Sequence, residues 1–144
     1  MMTGRATRFE EVQVGESLPP LHKTVSVEQI RRYAQASGDH NPIHLDQAFA
    51  RSAGLPGVIA HGMLTMAFVN QMVTDWLGDR RTVRSLRGRF AGMVLPGDRV
   101  TCRGSVKAKD QSAGRLTLEL SAENQRGEAV FTKGIADVEF HRPE

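Results

Sequence analysis

The sequence holds a single cysteine, Cys102, among its 144 residues. One thiol excludes an internal disulfide and any metal site built on clustered thiolates. Aromatic residues are sparse, at six Phe, one Tyr and one Trp. Long apolar runs are missing too. The nearest, Met63 to Val69, is interrupted by Thr65 and falls far short of the roughly 18 residues a membrane span needs. The basic start, Met1 to Arg8, has no apolar stretch of the secretory kind. These absences predict a cytoplasmic protein without a membrane span. Lysine is also scarce: 4 of the 19 basic residues, against 15 arginines, with 16 acidic residues and a net charge of +3. A solvated surface accounts for most of that arginine, although Arg forks also suit phosphates. Arg80, Arg81, Arg84, Arg87 and Arg89 bunch together with no aromatics interleaved. A stacking platform for nucleic acid is therefore not expected.

What is present is ordinary globular composition, 40% hydrophobic and 24% charged. The length fits one domain over residues 1–144, with residues 1–7 read as a flexible N-terminus, and buries roughly two-thirds of the unfolded surface. The pattern changes character near Gly78. Before it, Leu21 to Val25 suits a short strand, and Ser26 with Gln29 forms a capping-box start for a helix. Val27, Ile30, Tyr33, Ala34 and Ser37 lie on one face of that helix, and Gly38 ends it. A loop, Asp39-His40-Asn41-Pro42-Ile43-His44, follows. Asp46 then caps a short helix through Phe49 and Ala53, closed by Gly54. A second helix runs from His61-Gly62 to Leu77, stopped by Gly78. Its apolar residues, three of the six methionines among them, surround the wheel, the pattern of a helix buried on all sides. After Gly78 the residues alternate as four strands: Leu86 to Val94, the turn Pro96-Gly97-Asp98, Val100 to Ala108, Leu116 to Glu123, and a last strand ending at Phe140. Consecutive strands joined by turns predict an antiparallel meander with the long helix against it, an α+β architecture.

Three kinds of chemistry compete for the polar residues. Asp39, His40, His44 and His61 offer metal donors, yet no regular helical or hairpin spacing gathers them and no thiolate assists. No metal and no cofactor is expected. Nucleophilic catalysis fits poorly, because no strand–Gly-x-Ser-x-Gly–helix elbow exists and Cys102 sits in mid-strand without a base. Acid–base chemistry remains. An Asp and a His on one rigid loop can face a common point, one accepting a proton while the other donates it. The Gly62 amide, unpaired at a helix start, would bind negative charge on a carbonyl oxygen. A plain helix start explains Gly62 equally well.

The stretch Ala36-Ser37-Gly38-Asp39-His40-Asn41-Pro42-Ile43-His44, followed by Ile59-Ala60-His61-Gly62-Met63, resembles the MaoC-like dehydratases and (R)-specific enoyl-CoA hydratases. The likeness continues at Phe9, Val14-Gly15, Arg89-Phe90 and Pro96-Gly97-Asp98, covering roughly residues 8 to 140. The single-domain form resembles the small β-subunit type of (3R)-hydroxyacyl-thioester dehydratase. The resemblance implies a hot-dog fold, a curled antiparallel sheet wrapped around the long helix, in a homodimer or higher even oligomer. It also implies Asp39 and His44 as the catalytic dyad, Asn41 supporting it, and the Gly62 amide on the thioester oxygen. The activity so implied is reversible syn hydration of trans-2-enoyl thioesters to (R)-3-hydroxyacyl thioesters, carried on coenzyme A or acyl carrier protein.

Two other functions stay in view. Hot-dog domains also serve as acyl thioesterases, but a thioesterase has no need of the paired histidine. A non-catalytic acyl-binding or partner subunit would be expected to lose Asp39 or His44, and both are present. The dyad's place on a proline-containing loop further predicts that its removal costs activity without costing fold.

Overall fold

A computed structural model describes residues 7–78 and 83–140. The structure begins with a 3-10 turn at Phe9–Glu11, then strand β1 (Leu21–Thr24), helix α1 (Val27–Ser37) and a second 3-10 turn at Pro42–His44. Helices α2 (Gln47–Ser52) and α3 (Gly62–Leu77) follow, and then strands β2 (Val83–Phe90), β3 (Arg99–Asp110), β4 (Arg115–Glu123) and β5 (Ala129–Glu139). Residues 1–6 of the expected N-terminal tail lie outside the described residues, as do Arg80, Arg81 and His141. Thr7 donates its backbone N–H to Leu77 O at 3.1 Å.

The helix ends follow the local chemistry. Ser26 Oγ accepts from the Gln29 amide at 3.0 Å, while Gly38 and Gly78 close α1 and α3 in the left-handed region, at φ 79° and 70°. Asp46 Oδ1 accepts from the Phe49 amide at 3.1 Å and so starts α2. These are side-chain acceptors for orphan N–H groups and glycines free of a Cβ penalty.

The strands form one antiparallel sheet in the order β1-β3-β4-β5-β2. Alternation is clean on β4, where Leu116, Leu118, Leu120 and Ala122 point inward. With Val100, Cys102 and Val106 of β3 they pack on Leu64, Phe68, Val69, Met72 and Val73 of α3 in one core. Phe131, fully buried, fits because Gly88 faces it: a Cβ at residue 88 would lie 2.2 Å from its ring.

The expected four-strand meander holds only for β3, β4 and β5. β2 pairs with β5, so β4 and β5 stand between it and β3. The strand expected over Leu86 to Val94 ends at Phe90. Beyond it Val94 O accepts from the Ala60 amide at 2.8 Å, carrying the chain to the start of α3. The Pro96-Gly97-Asp98 turn then bonds Val25, beside β1, with Gly97 N donating to Val25 O and Val25 N to Asp98 O. Apolar alternation continues through residues 91–94 although the ladder does not, which is why the pattern reads as one strand. All-round burial of α3 is also corrected. The sheet covers one face only, and Met63, 54% exposed, and Ala67 stay outside it.

Candidate active site

Three segments meet at the start of α3: the 39–44 loop, the extended residues 58–61, and residues 91–95. The loop is shaped by its own side chains. Asp39 Oδ1 accepts from the Asn41 amide and Asn41 Oδ1 from the Ile43 amide, at 3.2 and 3.1 Å. Asn41 thus caps the 3-10 turn whose last residue is His44, a short-range Asx arrangement that competes well with regular structure. The Ile59 amide donates to Ile43 O at 3.2 Å and ties the loop to the segment before α3.

His44 is buried, 8% exposed, and its Nδ1 lies 2.7 Å from Ile59 O. A carbonyl oxygen only accepts, so Nδ1 carries the proton and Nε2 is the nitrogen left for chemistry. Asp39 is exposed. Its carboxylate, a His44 ring nitrogen and a His61 ring nitrogen all fall within 4.8 Å of one another. His44 has packing and a hydrogen bond to lose, whereas Asp39 is exposed.

Gly62 is the first residue of α3, and His61 at the N-cap offers no side-chain cap. The first-turn amides of such a helix have no intrahelical acceptor. A Cβ at residue 62 would meet the Phe90 ring at 3.0 Å, so close packing by β2 favours glycine there independently of any anion. The fourth donor weighed above, His40, is exposed on the loop, and elsewhere an exposed histidine of β1, His22, pairs with Thr101 Oγ1 at 2.9 Å.

Sequence reasoning considered His61 only as a metal donor. It is 2% exposed and stacks on His44 with ring centroids 3.8 Å apart and planes 24° from parallel. Imidazole lone pairs lie in the ring planes, so two stacked rings do not converge on one ion at the roughly 2.0–2.1 Å a metal requires. The stacked imidazoles of the Asp39–His44–His61 cluster therefore do not present their lone pairs to one common ion. A separate cleft of about 460 Å³, bordered by Ser17, Arg103, Glu119 and Lys133, lies on the sheet and includes none of these residues. Among the described residues no helix is long and apolar enough to cross a membrane.

Comparison with known proteins bears on the fold and the family. A fatty acid synthase subunit beta of Aspergillus oryzae is 41% identical over 110 residues, which are 74% of this chain and 5% of that protein. The chain thus spans a small fraction of the curated relatives it matches. A solved MaoC-like dehydratase shares 32% identity with a TM-score of 0.89, over 94% of this chain and 43% of its own. An (R)-hydratase from A. caviae involved in PHA biosynthesis shares 28% identity with a TM-score of 0.84, over 92% of this chain and 99% of that one. The sheet curled on α3 is the hot-dog arrangement of these structures. The MaoC like domain matches residues 10–125. That match takes in the Asp39–His44 loop and the start of α3 together, and the chain belongs to this family.

Proposed function

We propose that the chain hydrates trans-2-enoyl thioesters to (R)-3-hydroxyacyl thioesters, and runs the reverse dehydration, through Asp39 and His44. Family membership and the likeness to an (R)-hydratase support hydration–dehydration chemistry on acyl thioesters. One observation carries the finer reading: Nδ1 of His44 is committed to Ile59 O, while a ring nitrogen of His44 and the Asp39 carboxylate lie within 4.8 Å. That reach suits one water held by two hydrogen bonds of about 2.8 Å each.

In the hydration direction the pair removes a proton from water as its oxygen bonds C3. The electrons of the C2–C3 double bond move toward the thioester carbonyl, and the oxyanion that develops is met by the Gly62 amide at the α3 N-terminus. The pair then returns a proton to C2, so one water is added with no redox change. Both groups approach from the same loop, which makes addition syn, and the Gly62 oxyanion contact fixes the face presented and with it the (R) product. Coenzyme A and acyl carrier protein both remain suitable carriers for the thioester.

Crotonyl-CoA tests the reading. Loss of enoyl absorbance without release of free thiol is expected, with the product oxidised by an (R)-specific 3-hydroxyacyl-CoA dehydrogenase. Free thiol would mark a thioesterase. Asp39→Asn keeps the acceptor for the Asn41 amide and should lower kcat by about 10²-fold or more at unchanged Tm. His44→Ala should lower kcat as far, with a lower Tm. Near-normal turnover in a folded Asp39→Asn protein, or a predominantly (S) product, would sink the assignment.

A further inference from the structure

His61 touches both members of the dyad by different means. Its Nε2 lies 3.0 Å from the backbone carbonyl of Asp39. That oxygen only accepts, so Nε2 donates its proton there. Its ring face lies against His44, with centroids 3.8 Å apart, and Tyr33 of α1 packs on the same imidazole at 4.8 Å and 58°. A single side chain at the end of the 58–61 segment therefore reaches the Asp39 end of the loop and the His44 end.

The second ring nitrogen argues against a merely structural filler. Nδ1 of His61 is buried and has no hydrogen-bond partner among the described residues. An unpaired buried polar atom is a cost that an apolar ring in the same slot would avoid. A histidine there is favoured by what Nε2–H does at the Asp39 carbonyl, and its planar face suits the His44 imidazole.

We infer that His61 is a positioning residue that sets the distance between Asp39 and His44, holding the first by a hydrogen bond and the second by stacking. This rests on the dyad reading above. The loop bearing Asp39 is exposed, and its own hydrogen bonds at Asp39 and Asn41 shape it without anchoring Asp39 to the core. The bond from His61 provides that anchor. A displacement of about 1 Å between two proton-transfer groups is enough to cost orders of magnitude in rate.

The experiment compares His61→Phe, His61→Gln and Asp39→Asn by steady-state hydration of crotonyl-CoA, with Tm measured on each. His61→Phe keeps a ring for His44, removes the donor and removes the orphan Nδ1. A folded His61→Phe protein is expected to lose about tenfold or more in kcat, with KM within about twofold of the parent. His61→Gln keeps an N–H for the Asp39 carbonyl and is expected between the two; it carries the test if the Phe variant does not fold. A structural filler predicts the opposite split: a changed Tm and an unchanged kcat. Parental kcat in a folded His61 variant while Asp39→Asn is dead would overturn the positioning role alone. Parental kcat in Asp39→Asn as well would overturn the dyad reading and this role with it.

Discussion

Cys102 illustrates how a residue's place in the pleat decides its chemistry. It is fully buried on β3 between Val100 and Gly104, paired across the ladder with Ala122. Burial pushes its thiol up to about 12, and the charge of Lys23 offsets only part of this. The thiolate is the reactive form, so almost none is present near neutral pH. A thiol reagent at pH 8 should leave the folded protein unlabelled over minutes and should modify one thiol per chain after denaturation. Rapid stoichiometric labelling of folded protein would show that β3 opens there. This burial was legible in the alternation of residues 100–108, which needed only the period of a strand. His61 was not legible in that way. Its role depends on Asp39, 22 positions away, and no local pattern encodes a ring stacked on another ring.

At the scale of elements, the segment around Asp98 shows where periodicity misleads. The Pro96-Gly97-Asp98 turn reads as a hairpin because prolines and glycines between two alternating runs usually join neighbours. Here it connects strands that β4 and β5 separate, and Asp98 serves the connection. The residue is 4% exposed. Oδ2 accepts from the Leu95 amide at 3.0 Å, and Oδ1 from Gln125 Nε2 at 2.9 Å and Arg126 at 3.5 Å. The carboxylate so fastens the crossing segment to the β4–β5 turn. Burial works to raise its pKa, but the hydrogen bonds from Gln125 and Leu95 and the Arg126 charge outweigh it, so Asp98 titrates below the ordinary value of 3.8. A depressed native pKa stabilises the fold above the unfolded value, and the stabilisation is lost as pH falls through the native value. Asp98→Asn should therefore lower stability by about 1.5–3 kcal/mol near neutrality, the range for hydrogen bonds to a charged group. That deficit should shrink below pH 3.8. Urea denaturation of both proteins at pH 6 and at pH 3 measures it, and a deficit that stays constant between them would assign the effect to packing. The helix caps and the dyad loop, by contrast, were readable because their hydrogen bonds span two to four residues.

For the whole molecule, the open question is what covers the surfaces a single chain leaves exposed. Among the described residues the sheet has two free edges, β1 with four residues and β2 with eight. α3 is apolar around most of its circumference, yet the sheet takes one face of it. Phe49, Met63, Phe90 and Met93 are each about half exposed, at 46%, 54%, 49% and 47%. Phe90 ends the longer free edge, and its ring lies over Gly62 at the start of α3. An unpaired edge beside exposed large apolar side chains is a liability that two-fold pairing removes. A second copy on this face would account for the apolar wheel of α3, one face of which the single chain leaves outside the sheet. Sedimentation velocity at micromolar concentration should give a dimer or a higher even species. It should persist in high salt, because the contact is apolar and ordinary screening acts only on charges. Phe90→Glu, which puts a charge at the end of the β2 edge, should shift the distribution toward monomer. A parent protein that sediments as a monomer would mean that the β2 edge pairs with an unlike chain or with none. A dimer unchanged by Phe90→Glu would move the interface off β2, to the β1 edge or the outer face of the sheet.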